Sequence, residues 1–328
     1  WCAHVSYIKP HWPYIVPAPY HNMFGADHVP PATRHAIERE APHPVFGAYM
    51  DGKVASAFQN DAVRAKVIPA YMGLIKQCDD QLGRILDYLD DTGQADNTMV
   101  VLTSDHGDYL GDHWLGEKDM FHEPSVKIPL IIYDPRAQAD ATRGTTCDAL
   151  TESIDLAATF VEIAGGEIPA HILEGRSLLP WLHGDTPDWR RVAISEYDYS
   201  NRPEATALGL EPRDARLFMV FDGRFKMIHA EGGFRPMLFD LETDPNEFHD
   251  LAKADAHDEV IDRLYRELGI WARRMSQRVT KSDADIRSAK GRSLRRGILP
   301  FLFDGSEVDP DLFAKYTGPA ATDYTPPS

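Results

Sequence analysis

Apolar residues recur at three- and four-residue steps at Val67, Tyr71, Leu74, Cys78, Leu82, Ile85 and Leu89. That stripe predicts one long amphipathic helix, and Gly93 supplies its C-terminal stop. Cys78 lies on the stripe and reads as a buried structural thiol. Two shorter runs, residues 98–104 and 129–133, are compact, apolar and rich in β-formers. Such runs are expected of central strands buried on both faces. A helix is expected around 154–164, closed by Gly165 and Gly166, and a further strand at 192–197. Strands alternating with helices predict an α/β protein with a mostly parallel sheet covered by helices.

The pattern changes toward both ends. Residues 3–8 are β-prone and read like an interior strand, ended abruptly by Pro-His-Trp-Pro (10–13). From there to about residue 57 the chain is rich in Pro, His and small residues, which predicts a long irregular excursion bordering a site. After about residue 205 two apolar runs flank Asp222-Gly223, a two-residue hairpin signal, and a third strand is expected at 237–240. A helix with Ile261, Leu264, Leu268, Trp271 and Met275 on one face follows. The division expected is an α/β part over 1–205, a small antiparallel-sheet-and-helix subdomain over 206–289, and an irregular tail over 290–328. That tail carries Leu294, Ile298, Leu299, Phe301, Leu302, Phe303 and Phe313, apolar groups that favour an oligomer contact.

Composition narrows the partners. Hydrophobic residues at 43% and charged residues at 26% are ordinary for a globular chain. The formal net charge of −17 disfavours nucleic acid or anionic lipid as the main partner. A small anionic substrate remains compatible, because a metal or a few cations can reverse the field inside one pocket. No apolar run reaches the ~20 residues of a membrane helix, and the opening residues do not read as a signal peptide. The sparse, odd set Cys2, Cys78 and Cys147 fits a reducing compartment, so a cytoplasmic location is expected.

Candidate chemistry concentrates in residues 104–118. Asp105 and His106 follow the strand run directly, where open α/β sheets place ligands, and Gly107 permits a turn that lets both face one ion. A carboxylate oxygen with an imidazole nitrogen suits a divalent metal of intermediate hardness. Taken alone, Asp105 could equally cap a turn, His106 lie on the surface, Lys118 be a solvated lysine and His11 a turn histidine.

The order of these pieces resembles the sulfatases of the alkaline phosphatase superfamily, with the phosphonate monoester hydrolase and phosphodiesterase branch nearest in look. The segments that carry the likeness are residues 6–13, 79–87, 97–107, 110–113, 125–132 and 238–247. The resemblance implies an alkaline-phosphatase-like fold and hydrolysis of sulfate esters, phosphonate monoesters or phosphodiesters. It implies that Asp105 and His106 ligate one divalent ion, with Ca2+ or Mn2+ favoured. It further implies that Lys118 binds the transferred sulfuryl or phosphoryl oxygens and that His11 assists the leaving group. Transfer at sulfur or phosphorus needs such charge neutralisation.

One element of the resemblance is missing. The family's nucleophile is a formylglycine made in Cys-x-Pro-x-Arg, or a Ser variant, and none of the three cysteines lies in that context. The hydroxyls near the motif, Ser104 and Ser125, have no base at a defined spacing. The chain is therefore expected to be the C-terminal part of a longer enzyme whose N-terminal segment carries the formylglycine, and to be inactive alone. A non-catalytic remnant or interaction subunit is the rival from another class. A two-metal phosphodiesterase using His113 or His122 is a third reading, against which Lys118 argues as a cation in the second ion's place.

Overall fold

The computed structural model describes residues 1–168 and 173–273. In chain order the regular elements are α1 (Pro44–Met50), α2 (Lys53–Phe58), α3 (Asp61–Asp91), β1 (Val100–Thr103), α4 (Glu123–Val126) and β2 (Leu130–Tyr133). Then come α5 (Ile154–Ile163), α6 (Leu179–Leu182), β3 (Ala193–Asp198), α7 (Pro203–Ala207), β4 (Arg216–Phe221), β5 (Phe225–Ala230), β6 (Met237–Asp240) and α8 (Asp258–Ala272). Among the described residues the chain divides into two compact units, one comprising residues 1–30 and 60–81, the other 31–59, 82–168 and 173–273.

In the first unit the N-terminal half of α3 buries Val67, Ile68 and Leu74, with Tyr14 packed edge-on to Tyr71 at 6.1 Å between ring centres. Gly73 admits the chain closely: a Cβ there would stand 2.6 Å from the Tyr20 carbonyl oxygen. The expected strand at 3–8 belongs to no sheet among the described residues, and Val5 and Ile8 are exposed. A β-prone run needs a neighbouring strand for its backbone groups, and among the described residues these pair with none. Cys78 is half-buried rather than buried, its thiol 3.3 Å from the Lys9 carbonyl.

The second unit is organised around an antiparallel sheet of order β3-β4-β5-β6. One face packs Leu217, Met219, Ile228, Met237 and Phe239 against α1 and the 109–121 segment. The other packs Val220, Met227 and Leu238 against Leu264 and Leu268 of α8. The strand at 192–197 therefore opens this sheet instead of closing the α/β part. The hairpin also sits one residue later than its sequence signal. The register Phe221↔Lys226 and the Asp222 N–H bond to the Phe225 carbonyl put Gly223 and Arg224 at the turn. Gly223 holds φ 95°, the left-handed value a first central residue needs.

Two further expectations change. β1 and β2 pair antiparallel, Val100 opposite Tyr133, and neither is buried on both faces: Ile131 is 61% exposed. The 14–57 excursion is irregular only in its first part. His43 caps α1 by accepting the Val45 N–H at 3.3 Å, Pro44 supplies the first-turn φ, and Val45, Phe46, Tyr49 and Met50 enter the core. Residues 274–328, including Met275 and the proposed tail contact, lie outside the described residues.

Candidate active site

The segment after β1 folds through local geometry that spacing alone does not reveal. Gly107 keeps an ordinary backbone conformation. It is needed for close approach instead: a Cβ would stand 1.9 Å from the Pro124 carbonyl oxygen, and its N–H donates to the Ser125 carbonyl at 2.8 Å. Leu110, Gly111, His113, Trp114 and Glu117 all take positive φ, which winds the chain back on itself. The Tyr109 N–H donates to Glu117 and the Gly111 N–H to Leu115, closing the loop. Asp112 accepts the Thr33 N–H at 2.8 Å, and the His113 N–H returns a bond to the Thr33 carbonyl.

Asp105 and His106 stand together at the mouth of this loop. Asp105 Oδ2 lies 3.4 Å from His106 Nε2, with the carboxylate 87% exposed and the imidazole 26% exposed. His106 Nδ1 is 2.7 Å from the Gly107 carbonyl oxygen. A carbonyl only accepts, so in the neutral ring Nδ1 carries the proton and Nε2 presents its lone pair beside the carboxylate. This donor set fits one divalent ion. Metal–ligand bonds of about 2.0–2.6 Å span such a separation, and the exposed carboxylate is open to an ion. Among the described residues no group of three His, Cys, Asp or Glu is placed to hold a metal, so this pair is a partial set.

Lys118 ends the loop half-buried, and its carbonyl accepts the Ser125 hydroxyl at 2.7 Å. The next residue is fixed firmly: Asp119 accepts from Arg202 at 2.7 Å and from the Tyr197 hydroxyl at 2.9 Å. Burial opposes the Arg202 charge, but Asp119, Tyr197 and Tyr49 together outweigh it and raise the guanidinium further above its usual range. His11 belongs to the first unit, where its Nδ1 meets the Trp12 carbonyl at 2.8 Å.

His113 and His122 are core residues. Their rings stack at 4.1 Å. His113 Nδ1 lies 2.7 Å from Glu38 and His122 Nδ1 lies 2.9 Å from the Tyr109 hydroxyl. Burial, then the neighbouring His113 and Lys226, hold the His122 ring well below its usual range, so it stays neutral. Beneath them Lys226, itself buried, reaches Glu123 at 2.7 Å and Glu247 at 2.8 Å. The Glu247 Oε1 contact is electrostatic, since that atom makes no aligned hydrogen bond. Sequence reading missed this network because its members come from four separate segments.

The cysteines do not fit a formylglycine site. Cys2 and Cys147 are exposed, and burial, only partly offset by Lys9, pushes the Cys78 thiol up. No step is assigned to them.

Comparison with known proteins places the chain in the alkaline phosphatase superfamily. A family model described as sulfatase matches residues 1–166, and one described as N-sulphoglucosamine sulphohydrolase, C-terminal, matches 111–273. The chain belongs to the sulfatase family. It is 36% identical over 271 residues to the multifunctional alkaline phosphatase superfamily protein PehA of Trinickia caryophylli, covering 77% of this chain and 52% of that one. It is 34% identical over 185 residues to an N-acetylglucosamine-6-O-sulfatase of Bacteroides thetaiotaomicron, covering 55% and 31%. Among solved structures, a phosphonate monoester hydrolase from Silicibacter pomeroyi superposes with TM-score 0.77 at 33% identity, covering 84% of this chain and 57% of that one. The chain thus spans about half the length of the first relatives it matches.

Proposed function

We propose that these residues form part of a metal-dependent hydrolase of sulfate esters, phosphonate monoesters or phosphodiesters. The observation that carries this reading is the Asp105–His106 pair, with the Gly107 carbonyl directing the imidazole lone pair to the carboxylate's side. Membership of the sulfatase family and the likeness to a phosphonate monoester hydrolase support it. Asp105 and His106 would hold the ion, with further donors and the nucleophile coming from residues outside these 328. When bound, a divalent ion supplies positive charge for the oxygens of the sulfuryl or phosphoryl group.

The residues of this chain do the rest. The Gly107 carbonyl keeps His106 in one tautomer and one orientation. Lys118 neutralises charge on the transferred oxygens, and the charge-paired Asp119 beside it fixes the backbone from which that lysine extends. His11 is proposed, on its motif alone, to donate to the departing oxygen. The substrate is a small anionic ester, and a homo-oligomer in the cytoplasm is the proposed setting.

The test is a panel of aryl sulfate, aryl phosphonate monoester and aryl phosphodiester assayed with the full-length enzyme, with and without chelator. Chelator-sensitive hydrolysis of at least one ester is expected, abolished in Asp105→Ala and reduced in kcat by about 10²-fold or more in Lys118→Ala. Hydrolysis that survives both substitutions would overturn the reading.

A further inference from the structure

Ser125 appears in the sequence only as a hydroxyl without a base, and the reaction above makes no use of it. In the fold it sits in α4 at 3% exposure. Its backbone carbonyl accepts the Gly107 N–H at 2.8 Å, which ties it to the segment carrying Asp105 and His106. Its hydroxyl donates to the Lys118 carbonyl at 2.7 Å, which ties it to the other end of the loop. The turn that presents Ser125 is itself anchored. The Ser125 N–H donates to the His122 carbonyl at 2.9 Å, the Glu123 N–H donates to Glu247 at 2.7 Å, and the Glu123 carboxylate takes the Lys226 ammonium at 2.7 Å.

We propose that Ser125 is a positioning residue that sets Lys118 relative to the Asp105–His106 pair, its carbonyl serving the pair and its hydroxyl serving the lysine. The inference rests on the hydrolase reading and gives it a division of labour. The Lys118 carbonyl fixes the peptide plane next to the lysine, and so the direction from which its side chain starts. A misplacement of about 1 Å in a charge aimed at a transition state costs on the order of 10²-fold in rate. The two bonds of Ser125 are also separable, because replacing the side chain removes only the one to Lys118.

The test compares Ser125→Ala with Ser125→Thr in the full-length enzyme, using Mn2+ as the probe ion. In Ser125→Ala, kcat is expected to fall about 10- to 100-fold with KM changed by about twofold or less. Mn2+ affinity is expected to stay within about twofold of the parent, since the Gly107 bond is retained, and Ser125→Thr is expected to regain most of kcat. Hydrogen exchange gives a readout independent of turnover: amides over 117–121 should exchange about tenfold faster in Ser125→Ala, with β4–β6 unchanged. If the parent hydrolyses no ester, the hydrolase reading fails, while the exchange result still decides whether Ser125 holds Lys118. Parent kcat and parent exchange in Ser125→Ala would overturn the proposal, as would a loss of Mn2+ affinity equal to the loss of kcat. Should Ser125→Ala fail to fold, Ser125→Cys, with a weaker donor of similar size, is expected at an intermediate kcat, and parent kcat there would equally contradict it.

Discussion

At the scale of single residues, His122 has the most measurable consequence. Its ring is fully buried between Phe46 and His113, with Tyr109 on Nδ1 and with Lys226 near enough to repel a second positive charge. Its folded pKa is depressed, chiefly by burial. Above its ordinary value of about 6.5 both folded and unfolded chains hold it neutral, and it adds no pH dependence. As pH falls below that value the unfolded chain takes up a proton that the folded chain refuses, so stability declines. His122→Phe is therefore expected to flatten the fall in urea midpoint between pH 7 and pH 5, and an unchanged fall would show that other groups set it. That Asp105, His106 and Lys118 share one loop leaving a strand was legible in the sequence, because one short segment carries them all. The role of Ser125 was not, since the contacts that define it form only when five positive-φ residues fold the loop back.

At the scale of elements, α4 is the piece on which the site rests, and Lys226 of β5 is what secures it. Burial pushes the Glu123 carboxyl up, but Lys226 and Lys127 together outweigh it and leave it below its usual range. In the more deeply buried Glu247 burial prevails and the carboxyl rises. Removing the lysine would leave Glu247 buried without its cation and Glu123 with only the exposed Lys127. Lys226→Met is expected to cost about 3–5 kcal/mol in denaturant unfolding, with most of it regained when Glu123→Gln and Glu247→Gln are added. A loss below about 1 kcal/mol in the single variant would mean that the triad does not anchor the turn. Periodicity located α3, α5 and α8 because each is long enough to repeat its pattern. It missed α1, where a histidine cap and a first-turn proline make a short core helix look like a loop. Among the described residues, Val100–Thr103 and Leu130–Tyr133 were placed correctly but with the wrong partner direction, since a four-residue run records burial and not orientation.

At the scale of the whole molecule, the family was legible from ordered motifs, while the architecture beneath the site was only half legible. The pattern gave the β4-β5-β6 meander. It did not show that β3 joins it, nor that one face of that sheet is the floor on which the 109–121 segment packs. The apolar faces of β1 and β2 call for more cover than the two strands give each other, with Leu102 and Ile131 exposed. The chain spans about half the length of the first relatives it matches. The central claim is that Asp105 and His106 are two donors to one divalent ion. Anomalous scattering at the manganese edge from crystals of the Mn2+-loaded full-length protein tests it directly. The account predicts a single peak within bonding distance, about 2.0–2.6 Å, of an Asp105 carboxylate oxygen and of His106 Nε2. A peak bound elsewhere, or His106 meeting the ion through Nδ1 with its bond to Gly107 broken, would contradict it.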